Sequence, residues 1–191
     1  MGRGLGRAHA LALAAQGARV VINDLGSAAT GEGADASPAG QVVAEIEAMG
    51  GQAVADASDA ASWDGAKAMV DLALERFGRL DVVVNNAGIL RDRMLINMTE
   101  DEWDSVTRVH LKSTFAVTHH AANHWRLMSK KGEQPDARVI NTTSHSGLFC
   151  NIGQANYAAA KAGIASFSIV AARELQRYGV TVNAIAPRRW K

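Results

Sequence analysis

Short runs rich in valine and isoleucine alternate with alanine-rich helical stretches along this sequence, and that alternation is what most narrows the fold. The runs are "ARVVIND" ending at Asp24, "GQAVADAS" at 51–58, "RLDVVVNNAG" at 79–88, "ARVINTTS" at 137–144 and "VTVNAIAP" at 180–187. Between them lie helix formers punctuated by glycine stops: residues 4–17, "QVVAEIEAMGG", "SWDGAKAMVDLALERFG", a stretch from Thr99 to about Met128, and "GQANYAAAKAGIASFSIVAARELQRYG". Thr99 and Glu102 make a capping box for the fourth of these. Strands that are short and apolar on both faces, each followed by a helix, predict a parallel sheet with helices on both sides. The fold class is therefore α/β, a Rossmann-like doubly wound sheet, and residues 1–191 form one domain.

The chain opens "MGRGLGRAHALALAAQG". Gly2, Gly4 and Gly6 let a backbone come close to a pyrophosphate, and the helix starting near Leu5 aims its N-terminal N–H groups at it. Asp24 closes the next strand, where a carboxylate can accept hydrogen bonds from a ribose 2′-hydroxyl. A glycine cluster alone fits a plain turn. Glycine loop, helix, strand and terminal aspartate in that order point to dinucleotide binding. Asp24 repels a 2′-phosphate whereas Arg3 attracts one; Asp24 is weighted more, so NAD is expected in preference to NADP.

A second constellation carries chemistry. Tyr157 and Lys161 are four residues apart on one helix and share a face. A lysine cation beside a phenol favours the phenolate and tunes it for acid–base work near neutral pH. Ser144 ends the preceding strand, the edge where active-site groups of open α/β sheets gather, and its hydroxyl can bond a substrate oxygen. A bare Tyr–Lys pair fits an exposed helix face; the serine upstream changes that balance.

With these residues in place, the chain resembles the short-chain dehydrogenase/reductases over nearly its whole length. The likeness rests on "GRGLG", "IND", "NNAG" at 85–88, Ser144 with Tyr157 and Lys161, and "VNAIAP" at 182–187. It is nearer to bacterial (3R)-hydroxyacyl-CoA dehydrogenases and 3-oxoacyl-carrier-protein reductases, through "NDLG", "NNAGILRDR", "RVHLK" and "GQANYAAAKAGI". The resemblance implies hydride transfer between a nicotinamide cofactor and a secondary alcohol or ketone, with a 3-hydroxyacyl or 3-oxoacyl thioester as the expected substrate. Tyr157 is then the acid–base, Lys161 supports it and holds the nicotinamide ribose, and Ser144 orients the substrate oxygen. Asp56 and Ala57 meet the adenine, Asn85, Ala87 and Gly88 line the cofactor ribose, and Ile185 and Pro187 border the nicotinamide. His110 stands where the family often has asparagine, as part of a proton relay to the lysine. The helices at about 100–128 and 154–178 are expected to pair with their copies in a homo-oligomer.

The resemblance also implies a strand ahead of the glycine loop and a segment and last strand after "NAIAP". The chain is thus expected to lack the first, central strand and the last one, leaving two strand edges facing a gap. The alternative reading is an inactive truncated fragment that at most binds nucleotide or a partner subunit.

Other classes fit poorly. Net charge is +1 with 20% charged residues, and the basic cluster Arg188, Arg189, Lys191 is too short for a nucleic-acid surface. No apolar run reaches membrane-spanning length, and the single cysteine, Cys150, fits a reducing cytoplasm. His119, His120 and His124 lack accompanying carboxylates or thiols at ligand spacing, so no metal is assigned. Trp63, Trp103 and Trp125 are expected to pack against the helix layers.

Overall fold

The computed structural model describes residues 4–26 and 38–187; Gly2, Arg3, most of the loop after Asp24 and the basic tail lie outside them. Five strands form: β1 (Arg19–Asn23), β2 (Gln52–Asp56), β3 (Val82–Asn85), β4 (Ala137–Thr142) and β5 (Val180–Ile185). The helices are α1 (Gly4–Ala15), α2 (Pro38–Ala48), α3 (Trp63–Phe77), α4 (Glu100–Thr107), α5 (Ser113–Lys130), α6 (His145–Phe149) and α7 (Ala155–Leu175). Local sequence sets the ends. Ser62 caps α3 by accepting from the Gly65 N–H at 2.9 Å, and Gly78 ends it at φ 74°. The Thr99–Glu102 capping box forms as expected.

All pairings are parallel, but they make two sheets. β1 pairs with β2, and β3, β4 and β5 pair in that order. Among the described residues nothing pairs with the free edges of β1 and β3. Between them lies a cavity of about 820 Å³ walled by Val20, Val21 and Ile22 on one side and Val82, Val83 and Val84 on the other. This is where the sequence reading expects a strand to be missing.

The helices distribute by strand parity. Val20, Ile22 and Ala53 face α1 and α2, packing with Ala10, Ala14, Val42 and Ile46. Arg19, on the other face of β1, lies with its guanidinium 5.3 Å from the Phe77 ring of α3. In the three-stranded sheet the row Val83, Val139 and Val182 faces α3, α5 and α7 and forms the main core with Val70, Ala121, Trp125 and Ala171. The alternate row, Val82, Arg138 and Thr181, has no helix over it among the described residues, and Val82 and Thr181 are exposed. The expectation of helices on both faces therefore holds for β1–β2 but not for β3–β5. Trp125 is buried and donates its indole N–H to the Leu80 carbonyl at 2.7 Å. Trp63, though part exposed, packs its ring against His119 and His120 of α5 at 4.7 and 4.5 Å, as expected, whereas Trp103 is exposed on α4.

The long helix expected from Thr99 runs from Glu100 to Lys130, but it is not α-helical throughout. Residues 108–112 form a π-turn between α4 and α5. Ser113 Oγ donates to the Val109 carbonyl at 2.6 Å and Thr114 Oγ1 to the His110 carbonyl at 2.8 Å, so hydroxyls take up carbonyls that the widened turn releases. The turn buries His110.

Candidate active site

Parallel pairing brings the C-terminal ends of all five strands to one edge of the molecule. Asn23 is paired with Asp56, Asn85 with Asn141, and Thr142 with Ile185. Ser144 follows directly, in extended backbone (φ −153°), and caps α6: its Oγ accepts from the Ser146 N–H at 3.2 Å. Residues 143–144 are anchored through the Thr143 N–H, which donates to the Ile185 carbonyl at 2.8 Å.

α7 carries Tyr157 and Lys161 on one face, as their spacing requires. Lys161 Nζ lies 5.7 Å from the centre of the Tyr157 ring. The lysine is 3% exposed and donates to the Thr142 carbonyl at 2.6 Å. Burial without a counter-ion pushes its ammonium down to about 8. Thr143 Oγ1 donates to the Lys161 carbonyl at 2.7 Å, so the end of β4 grips the lysine at both head and backbone. Gly147 of α6 permits this closeness: a Cβ there would stand 2.7 Å from Lys161 Cβ.

His110 packs edge-on against Tyr157, with ring centres 5.2 Å apart. It is pushed down to about 4, first by burial and then by the Lys161 charge, against a hydrogen bond to the Ile89 carbonyl. The ring is thus neutral at neutral pH and holds one proton. Nε2 lies 2.7 Å from the Ile89 carbonyl and 3.0 Å from the Ile89 N–H, so it can donate to the first or accept from the second, while Nδ1 is buried with no hydrogen-bond partner among the described residues. Gly88 is obligatory beside it, since a Cβ would sit 2.5 Å from His110 Cε1.

The expected dinucleotide residues converge in part. Gly6, Asp24, Asn85, Ala87 and Gly88 all line the large cavity. Gly4 begins α1 at φ 56°, Leu5 is exposed and Gly6 is buried. Asp24 holds the loop after β1, accepting from the Gly26 N–H at 2.9 Å. Asp56, Ala57, Ile185 and Pro187 lie at the same strand ends but outside the cavity wall. The triplet Ser144, Tyr157 and Lys161 is also outside it, because most of that volume is the gap between β1 and β3 rather than the cleft over the strand ends. The donor chemistry is of the kind that suits a dinucleotide: the first turn of α1 and the Asp24 carboxylate lie on the β1 side of the gap and the Gly88 turn on the β3 side.

Two residues have more local partners than expected. The Asn85 amide donates to Asn141 Oδ1 at 2.8 Å and Thr118 Oγ1 at 3.0 Å, and Asn141 donates on to Ser168 Oγ at 2.9 Å. That directs the Asn85 side chain into a buried polar chain joining α5, β3, β4 and α7. The Asp56 carboxylate accepts from Asn23 Nδ2 at 2.5 Å and Ser58 Oγ at 2.8 Å, fastening β1 to β2. The sequence reading missed Asn141, Thr142, Thr143 and Gly147, whose signal was the polar run "NTTS" after an apolar strand and a glycine three residues beyond it.

Among the described residues there is no metal-ligating cluster and no helix long and apolar enough to cross a membrane. The sequence model of the short chain dehydrogenase family matches residues 1–190. The chain is 50% identical to the hydroxyacyl-CoA dehydrogenase ChsB1 of Mycobacterium tuberculosis, over 97% of this chain and 57% of that protein. It is 45% identical to a 3-oxoacyl-[acyl-carrier-protein] reductase of Synechocystis, over 97% of this chain and 69% of that protein. A crystal structure of a short chain dehydrogenase from Mycobacterium avium superposes with a TM-score of 0.93 at 58% identity, covering 97% of this chain and 64% of that one.

Proposed function

Since the chain belongs to the short-chain dehydrogenase family, whose members use nicotinamide cofactors, we propose that it transfers hydride between NAD and a secondary alcohol or ketone, a 3-hydroxyacyl or 3-oxoacyl thioester. The observation that supports this is the Tyr157–Lys161 pair on α7, with Lys161 Nζ 5.7 Å from the Tyr157 ring and bonded to the Thr142 carbonyl two residues before Ser144. The acyl class comes from the relatives' names, hydroxyacyl-CoA dehydrogenase and 3-oxoacyl-carrier-protein reductase.

Gly4, Leu5 and Gly6 would hold the pyrophosphate, Asp24 the adenosine ribose, and Ala87 and Gly88 the cleft between. The nicotinamide, when bound, supplies the hydride acceptor at its C4. Ser144 donates to the substrate oxygen and fixes its distance from the phenol. Tyr157 takes the hydroxyl proton as the C–H bond breaks and the carbonyl forms; in reduction it returns that proton. Lys161 holds positive charge beside the phenol through the exchange. His110, edge-on to the Tyr157 ring at 5.2 Å, would be the group through which protons pass toward Lys161.

Asp24 favours NAD because a 2′-phosphate would lie beside its carboxylate. Like charges about 4 Å apart repel by roughly 1 kcal/mol in water and about 4 at an effective dielectric of 20. The test is NADH absorbance on mixing the chain with NAD and a 3-hydroxyacyl-CoA, with NADP in parallel. Turnover that Tyr157→Phe abolishes, and that Asp24→Ala shifts toward NADP, is expected. No turnover where a full-length relative is active would remove the reading and leave the second one, nucleotide or subunit binding without catalysis, which draws on the open gap between β1 and β3.

A further inference from the structure

Asn156 stands one residue before Tyr157 in the first turn of α7, and its residue surface is 0% exposed. Its side chain makes three hydrogen bonds. Nδ2 donates to the Arg91 carbonyl at 3.0 Å and to the Glu102 carbonyl at 2.9 Å. Oδ1 accepts the backbone N–H of Tyr157 at 2.7 Å. The first N–H groups of a helix have no partner within it. Gln154, which precedes α7, does not cap them; its amide is turned to Asp92, Ser146 and Asn151. Asn156 therefore satisfies the Tyr157 N–H from inside the helix while reaching two segments far away in sequence.

Those two segments are themselves held. Glu102 belongs to the capping box of α4 and pairs with Arg93 at 2.8 Å. The Arg93 N–H donates to the Gly153 carbonyl at 2.8 Å. These contacts fix the approach to α7 at 153–154, on the exposed side. Asn156 is the buried member of the brace and the one bonded to Tyr157 itself. Its chemistry is specific: aspartate would turn a carboxylate toward two carbonyls, alanine would leave all three groups without partners, and glutamine would push the amide one methylene too far.

We propose that Asn156 is a positioning residue for Tyr157, setting the phenol's place relative to Lys161 by pinning the first turn of α7 to the 91–93 loop and to α4. This rests on the reading of Tyr157 and Lys161 as a working pair. The test separates the two. The chain has two tyrosines, Tyr157 and Tyr178. With Tyr178→Phe, an alkaline titration of the tyrosinate absorbance band reads Tyr157 alone, without cofactor, substrate or turnover. Asn156→Ala and the milder Asn156→Ser should each move the midpoint by about half a pH unit or more, with cooperative unfolding retained. Where turnover is measured, kcat should fall about tenfold with KM little changed. An unmoved midpoint in both variants overturns the proposal, as does loss of the fold in both, which would make Asn156 a folding residue. Lys161→Met is the control. If it moves the midpoint and the Asn156 variants do not, the proposal alone fails; if it does not move it, the Tyr157–Lys161 reading fails.

Discussion

Replacing Lys161 by methionine should stabilise this protein at neutral pH while disabling its site. The ammonium is 3% exposed, among the described residues no carboxylate pairs with it, and burial holds it at about 8 against an ordinary 10.5. Below about pH 8 the lysine is charged in both folded and unfolded chain, and the folded state bears the full cost of burying it. Between about 8 and 10.5 the unfolded chain keeps a proton that the folded chain has lost, so stability rises with pH. At 1.36 kcal/mol per pH unit the whole window is worth about 3 kcal/mol. Methionine matches the aliphatic stem and removes the charge, but forfeits the bond to the Thr142 carbonyl, which is worth about 1–3 kcal/mol. The net gain expected at about pH 7 is therefore about 1–2 kcal/mol, shrinking toward zero or reversing by about pH 10. Urea unfolding of both proteins, followed by tryptophan fluorescence at several pH values, measures it. A difference in stability that stays constant from about pH 7 to about pH 10 would refute the reasoning, because the cost must then come from packing rather than from a buried charge.

Three other outcomes follow from the same geometry. His110, held at about 4 instead of 6.5, gives stability that is fully present above 6.5 and lost as pH falls through about 4, a window worth about 3 kcal/mol; urea unfolding across that range should show the loss in the parent and a flatter curve in His110→Asn. Gly88→Ala brings a Cβ to 2.5 Å from His110 Cε1 and should destabilise by about 1–3 kcal/mol, with much of that recovered in the double variant with His110→Ala, as a double-mutant cycle by thermal melting will read. Joining an apolar five-residue strand and a glycine turn to the N-terminus should fill the gap between β1 and β3 and raise the melting temperature by about 5 °C or more, whereas a polar extension of equal length should not; equal effects would refute the strand-shaped reading of the gap.

Sequence reached the parts of this molecule that depend on local periodicity. Tyr157 and Lys161 had to share a face because they are four apart on a helix, and Thr99 with Glu102 had to cap because the box is a contact across one turn. The gap between β1 and β3 was legible only through the family resemblance, which implies a strand ahead of the glycine loop. What was not legible depends on long-range partners. The π-turn at 108–112 forms because Ser113 and Thr114 satisfy carbonyls that an unbroken helix would have used, and its effect is to bury a histidine against Gly88 and Tyr157. The uncovered face of β3–β5 did have a signal, the polar Thr181 and Asn183 alternating with Val180 and Val182, but an apolar reading of the whole run hid it. Asn156 gave no signal at all, since its three partners lie in three segments.

The division into two sheets has a consequence for the site. Asp24 and the N-terminus of α1 belong to the β1–β2 half, and Ser144, Tyr157 and Lys161 belong to the β3–β5 half. No strand pairing joins the halves among the described residues. They are joined by α3, which lays Phe77 under Arg19 of β1 and Val70 in the core of the other sheet, and by the Arg108–Asp59 ion pair. The distance between the place where a cofactor's adenosine would lie and the Tyr157 phenol is therefore set by side-chain packing. Packing of this kind tolerates shifts that a hydrogen-bonded strand would forbid, and hydride transfer is sensitive to displacements of about 1 Å. Filling the gap should for that reason raise kcat/KM by a larger factor than its gain in stability alone explains. Activity measured well below the melting temperature, where the chain is folded with or without the added strand, isolates that geometric contribution.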